Sequence, residues 1–188
     1  GISMSVAGTS APASGGEHLI SHTLDMMSSV DGQPHDLHGR QVGVATLLAA
    51  AVYEMLFEIE HPRWSLPPKT FAADFWGPLA SAVERESEKK WCRLETPASL
   101  LQDDRQVWQT LRQQVRPLLR SPSEIKACLA GGGGAHRLSD IHVSRERFLE
   151  AATNAYQMRE RFTILDLALL AGMLPDCLGQ VVDRWLID

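Results

Sequence analysis

Apolar side chains recur at helical spacing wherever a pattern can be counted in this 188-residue chain. The clearest stripe follows Gln41 and stops at His61-Pro62, and a proline there ends a helix. Its members are Val44, Leu47, Leu48, Ala51, Met55 and Ile59. The same spacing returns after Val107 and after Phe148, and no segment alternates as a half-buried strand does. The pattern predicts an all-α fold, a bundle of about seven to nine helices.

Helix-start signals support this prediction. The run Ser121-Pro122-Ser123-Glu124 has a capping serine, a proline at the first helical position and a glutamate at the third. It predicts a helix over 122–130. The run Gly131 to Gly134 then suits a helix end followed by a mobile linker, since it lacks the spacing of a phosphate-binding loop.

Further caps divide the last third of the chain. Ser144 predicts the start of a helix that continues to about Arg161. Thr163 and Asp166 frame a final pair of short helices, which end at Trp185 and are separated near Gly172 and Pro175. No long linker interrupts these elements, so we expect one domain over residues 1–188.

Charge and cysteine content limit the partners and the compartment. A net charge of −5 provides no basic field for phosphate backbones, which argues against nucleic acid as a partner. Three scattered cysteines suit a reducing compartment, and we expect the cytoplasm. The longest apolar run, 42–53, is too short to span a membrane, and the N-terminus resembles a cut end rather than a signal peptide.

Histidines are concentrated near the N-terminus, where His18, His22, His35 and His38 fall within 21 residues. Ser14-Gly-Gly-Glu17 has capping-box spacing, which predicts a helix carrying His18 and His22 on one face. Helix-borne imidazoles four residues apart can reach one metal ion. Spacing alone leaves two interpretations open, a metal or catalytic site, or histidines that only hydrogen-bond in a helical core or face solvent.

The remaining histidines and the tryptophans are expected to lie outside any catalytic or metal site. No glutamate directly follows His18, so the HExxH motif of zinc peptidases is absent. We expect His61, His136 and His142 to lie outside any site. The tryptophans are spread along the chain, and we expect them to contribute to packing.

Two stretches resemble one enzyme family. The run SVAGTSAPASGGEHLISHTLDM, followed by LHGRQVGVATLLAA, resembles the C-terminal helical domain of sn-glycerol-1-phosphate dehydrogenases. These enzymes share a superfamily with iron-containing alcohol dehydrogenases, glycerol dehydrogenase and dehydroquinate synthase. The family pattern is close to SRPASGSEHxxSH and LHGEQVGVGT. The later stretch AATNAYQMRERFTILDLALL also resembles the family, and both stretches occur in the family's order.

The resemblance implies a divalent metal, usually zinc, with nickel or iron as alternatives. It implies His18 and His38 as two ligands, and His22 as a catalytic residue near the substrate that relays a proton. The third ligand, an aspartate, and the NAD(P)-binding domain belong upstream and are absent from this chain. Departures from the pattern include Ala11 in place of arginine and Arg40 in place of glutamate.

The expected function is therefore that of the metal- and substrate-binding half of an NAD(P)-dependent oxidoreductase of phospholipid biosynthesis. The substrate would be dihydroxyacetone phosphate or a related polyol phosphate, and we expect the chain alone to be inactive. Two alternatives stay open, a non-catalytic helical module for binding or assembly, and a sister activity such as glycerol dehydrogenase or dehydroquinate synthase. Metal identity, exact substrate and assembly into a homo-oligomer are also left open.

Overall fold

The computed structural model describes Ser5, Val6, Gly8 and residues 14–187. Within these residues all regular structure is helical, which confirms the predicted all-α class and helix number. The α-helices are α1 (Gly16–Asp31), α2 (His38–Glu58), α3 (Ala73–Trp76), α4 (Ala80–Asp103), α5 (Arg105–Val115), α6 (Pro122–Gly131), α7 (Arg145–Asn154), α8 (Ile164–Leu170) and α9 (Cys177–Trp185). Short 3-10 turns occupy Gly77–Leu79, Arg116–Leu118, Ser139–Ile141 and Ala155–Met158.

Helix α2 is the centre of the core. It contacts α1, α6, α8 and α9, and Val44, Leu47, Leu48, Val52 and Leu56 have no exposed surface. By length and composition alone this helix could cross a membrane, but 56% of its apolar window is buried in the fold. That burial is what a core helix of a bundle shows.

The predicted caps form at three helix starts. The Ser121 hydroxyl accepts from the backbone amide of Glu124, whose carboxylate in turn accepts from the Ser121 amide. Thr163 and Asp166 make the same reciprocal pair at α8, and the hydroxyl of Ser144 caps α7. These bonds satisfy backbone donors that a helix start leaves without partners.

One predicted capping residue and one predicted helix end are wrong. Gly15, not Ser14, caps α1, and its amide donates to the Glu17 carboxylate at 2.9 Å. The helix that begins after Ser144 ends at Asn154 rather than near Arg161. The chain tightens into the 3-10 turn and becomes extended at Arg159, which lets the Arg161 guanidinium donate to the Ser14 carbonyl at 2.9 Å. A contact distant in sequence therefore overrides the local helical pattern.

The glycine run forms a hydrogen-bonded turn rather than an open linker. Helix α6 includes Gly131, and the positive φ of Gly133 turns the chain so that the Gly134 amide donates to the Leu129 carbonyl at 2.7 Å. The following residue packs on α2, where a Cβ at Gly43 would lie 3.0 Å from the Ala135 carbonyl oxygen. Glycine at 43 permits this close approach.

A buried ion pair joins α4 to α8. The Lys90 ammonium lies 2.8 Å from the Asp166 carboxylate, and both side chains are almost fully buried. The other Asp166 oxygen accepts from the amide and the hydroxyl of Thr163. Burial lowers the pKa of Lys90 and raises that of Asp166, while their mutual attraction opposes both shifts.

Buried tryptophans pack as expected. Trp76, Trp91 and Trp108 are in the core. The Trp108 indole donates to the Ile59 carbonyl at 3.1 Å, and the Arg112 guanidinium donates to the Phe57 carbonyl at 2.7 Å. These two bonds from α5 satisfy carbonyls at the end of α2.

We expect Ser121→Ala to lower the free energy of unfolding by about 0.5–2 kcal/mol, because the substitution removes the side-chain cap of α6. Urea denaturation followed by circular dichroism measures the loss. Ser99→Ala, at an exposed position inside α4, is the matched control and should leave stability unchanged or slightly raised, since alanine favours a helix interior. Equal stability of the two variants would show that the cap contributes nothing.

Candidate metal centre

One face of α1 carries the polar side chains His18, Ser21, His22 and Asp25. Residues three and four apart on a helix lie on the same face, so these groups form a row along α1. The other side of the helix is apolar and packs into the core through Leu19, Ile20 and Leu24. Burial of that face therefore turns the polar row toward the start of α2.

The structure brings the three predicted histidines together. His38 opens α2, and its ring centroid lies 5.2 Å from that of His18 and 4.7 Å from that of His22. The rings of His18 and His22 are 6.5 Å apart. We call His18, His22 and His38 the histidine cluster. Their side chains are between a quarter and half exposed, so a small ligand can reach them.

Hydrogen bonds orient two of these rings. Nδ1 of His18 lies 2.8 Å from the Glu17 carboxylate, and Nδ1 of His38 lies 2.8 Å from the Ser21 hydroxyl. Since Ser21 donates its own proton to Gln41, His38 must donate from Nδ1. In this arrangement Nε2 of each ring carries the lone pair. Metal-binding histidines are commonly held this way, with the second ring nitrogen bonded to a carboxylate or another polar group.

A carboxylate that sequence reasoning missed lies beside the cluster. Asp25 has one oxygen 4.0 Å from Nδ1 of His22 and 3.9 Å from Nδ1 of His38, and its other oxygen is 3.3 Å from Nδ1 of His35. That second oxygen is buried and has no hydrogen-bond partner among the described residues. The spacing of Asp25 from His18 and His22, seven and three residues, places it on their face and could have identified it.

His22 differs from the other two histidines of the cluster. No hydrogen bond holds its ring to the described part of the chain, and its donor atom lies within 4.8 Å of those of Asp25 and His38. Burial, followed by the nearby charges of His38 and Arg159, lowers the pKa of His22. A neutral imidazole is the form that can bind a metal or accept a proton.

In metal-free chain, we expect the ring protons of His22 to titrate below pH 6.5, the ordinary midpoint of histidine. Because the folded state disfavours protonation of this ring, acidification from about pH 6.5 through its folded pKa should reduce stability. NMR titration with chelator present measures the midpoint. Urea denaturation at pH 6.5 and at the folded pKa of His22 should show a smaller loss of stability in His22→Gln than in the unmodified chain. An NMR midpoint above pH 6.5 would contradict the prediction.

Ala11 and Arg40, which depart from the family pattern, differ in what the structure describes of them. Ala11 lies outside the described residues. Arg40 donates to the Asp36 carboxylate and to the Asp140 carbonyl, so it joins the start of α2 to the loop before α7. His61 and His142 are exposed, and neither belongs to the histidine cluster.

Comparison with known proteins identifies relatives of one kind. The chain is 29% identical over 165 residues to a glycerol-1-phosphate dehydrogenase (NAD(P)+) of Halalkalibacterium halodurans, a match covering 88% of this chain and 34% of the relative. The protein of that name from Bacillus licheniformis is 25% identical over 180 residues, a match covering 96% of this chain and 34% of the relative. One from Halorubrum lacusprofundi is 48% identical over 73 residues, covering 39% of this chain and 19% of the relative.

These matches confirm the resemblance to the helical domain of glycerol-1-phosphate dehydrogenases that the motifs predict. The chain spans about a third of the length of the relatives from Halalkalibacterium and Bacillus. No family model matches it. No solved structure matches it either.

Proposed function

We propose that this chain is the metal- and substrate-binding helical part of a glycerol-1-phosphate dehydrogenase-like oxidoreductase. The observation that carries the proposal is the histidine cluster, in which two imidazoles are oriented with their Nε2 lone pairs available. The reaction proposed is the NAD(P)-dependent interconversion of dihydroxyacetone phosphate and glycerol 1-phosphate, which fits the names of the relatives. Its proposed place is phospholipid synthesis in the cytoplasm.

The residues present fit a divalent transition ion. Imidazole nitrogens suit zinc, nickel and iron, and a carboxylate completes many such sites. We assign His18 and His38 as ligands because the bonds from Glu17 and Ser21 fix their rings. The buried Asp25 oxygen that makes no hydrogen bond supports this assignment, because a carboxylate beside the rings favours a bound cation.

The proposed ligands and relay have distinct tasks in the reaction. A divalent ion at this site would polarise the substrate oxygen and stabilise the charge that hydride transfer creates there. His18 and His38 would hold the metal, and His22 would exchange the hydroxyl proton with solvent. The lowered pKa of His22 keeps its ring neutral at physiological pH, ready to accept that proton.

The nucleotide would be bound by a domain outside this chain. The helices described here contain no glycine-rich strand-turn-helix motif, which is the element that cradles a dinucleotide pyrophosphate. We therefore propose that the helical chain supplies the metal and one wall of the substrate site. The partner domain would hold NAD(P) against the substrate carbon and supply the upstream aspartate ligand.

A hybrid enzyme tests the proposal. This chain would replace the matching part of the Halalkalibacterium halodurans relative, and the zinc-loaded hybrid would be assayed for NADPH-dependent reduction of dihydroxyacetone phosphate. We expect turnover by the hybrid, loss of turnover with His22→Ala, and none from the 188-residue chain alone. A folded, metal-loaded hybrid that does not oxidise NADPH would contradict the proposal.

A further inference from the structure

The segment 159–161 follows the 3-10 turn Ala155–Met158 and is bonded to the region of α1, the helix that carries two members of the histidine cluster. Just before it, the Met158 sulfur accepts a hydrogen bond from the hydroxyl of Thr23, the residue that follows His22. At its far end, the Arg161 guanidinium donates to the carbonyl of Ser14, two residues before α1 begins. Both ends of the segment are therefore fixed to the helix that carries His18 and His22.

The central cation of this region is Arg159. It is exposed, and it makes no hydrogen bond or ion pair with the part of the chain that the structure describes. The positive charge of Arg159 helps to lower the pKa of His22. Its charge also reaches Glu86, but that carboxylate already accepts a 2.6 Å hydrogen bond from Lys89.

The neighbouring charged groups of the segment are occupied. Arg161 is engaged by the Ser14 carbonyl, and Glu160 pairs with Arg93 at 3.1 Å. Arg159 thus combines three properties: a fixed backbone, a guanidinium in solvent, and a position within electrostatic reach of the histidine cluster. A guanidinium presents paired donors that match the oxygens of a phosphate group.

We propose that Arg159 binds the phosphate of the substrate and so selects a phosphorylated polyol over a free one. The inference rests on the proposed function, because it assumes that the polyol part of the substrate lies at the histidine cluster. The phosphate end then lies along the 159–161 segment, where Arg159 can donate two hydrogen bonds to it. A free polyol has no group for Arg159 to bind, so the arginine contributes only to the phosphorylated ligand.

NMR titration of the zinc-loaded hybrid enzyme tests this inference with two ligands, sn-glycerol 1-phosphate and glycerol, because the hybrid contains the complete proposed site. We expect Arg159→Gln to raise the Kd for glycerol 1-phosphate by about 10-fold or more, as loss of a charge-assisted hydrogen bond does. The Kd for glycerol should stay unchanged, and Arg159→Lys should restore part of the lost affinity.

Two control variants separate this inference from the proposed function. Arg63→Gln removes the same charge at an exposed position beyond the far end of α2, a helix about 30 Å long, and should change neither Kd. His38→Ala should weaken both ligands, since it removes a proposed metal ligand.

Three other results would overturn the inference about Arg159 or the proposed function. An unchanged Kd for glycerol 1-phosphate in Arg159→Gln, with His38→Ala impaired, would overturn the inference and leave the proposed function standing. Equal affinity of the unmodified hybrid for glycerol and glycerol 1-phosphate would overturn the inference in the same way. If the zinc-loaded hybrid binds neither ligand, both the inference and the proposed function are contradicted.

Discussion

Lys90→Ala is expected to lower the free energy of unfolding by about 3–5 kcal/mol, the loss typical of breaking a buried ion pair. The substitution leaves Asp166 without its cation in a site that water does not reach, and it opens a cavity between α4 and α8. Because Asp166 also caps α8 through Thr163, the damage should extend to that helix. Urea denaturation followed by circular dichroism measures the loss.

An exposed lysine next in sequence provides the matched control. Lys89 pairs with Glu86 at 2.6 Å on the surface, and Lys89→Ala should have little measurable effect. If Lys90→Ala does not fold, the double variant Lys90→Met with Asp166→Leu keeps the prediction testable. It should be more stable than either single variant, since no charge is then buried alone. Equal stability of Lys90→Ala and Lys89→Ala would show that the buried pair is unimportant.

His38→Ala and His18→Ala are expected to reduce zinc affinity far more than substitution of any neighbouring residue. Each removes a proposed ligand, so the loss should exceed the roughly 10- to 100-fold effect of removing an outer hydrogen-bond partner. Ser21→Ala provides that comparison, because Ser21 orients the His38 ring without belonging to the proposed ligand set. Competition with a chelator measures all three affinities, and activity of the hybrid enzyme should fall in the same order.

The control for this series is His61→Ala. His61 is exposed beyond the end of α2 and lies apart from the histidine cluster, so its loss should change neither zinc affinity nor activity. Retention of normal zinc affinity in His18→Ala would show that the ligand assignment is wrong. A loss with Ser21→Ala as large as that with His38→Ala would show that ring orientation, not ligation, dominates binding.

The helices that could be predicted are those with a local start signal or, like α2, a long apolar stripe. Ser121, Ser144 and Thr163 each provide a cap that acts within three residues, and each appears in the structure. The longest helix, α4, has no side-chain cap, carries many charges and contains Pro97. Its buried apolar positions nevertheless follow helical spacing, and counting them would have identified it: Val83, Trp91, Leu94, Ala98 and Leu101.

The candidate site was predictable in part. The spacing of His18 and His22 places them on one face of a helix, but the position of His38 relative to them depends on how α1 packs on α2. The Ser21 bond to His38 joins residues 17 apart, and the Arg161 bond to Ser14 joins residues 147 apart. Neither partner has a local sequence signal. Such contacts arise from tertiary packing, which no short motif encodes.

Anomalous diffraction from crystals of this chain soaked in zinc locates the metal directly. We expect a zinc peak within the histidine cluster, about 2.0–2.1 Å from Nε2 of both His18 and His38, with the Glu17 and Ser21 hydrogen bonds intact. Zinc bound elsewhere at saturating concentration, with the rings of His18 and His38 uncoordinated, would contradict it.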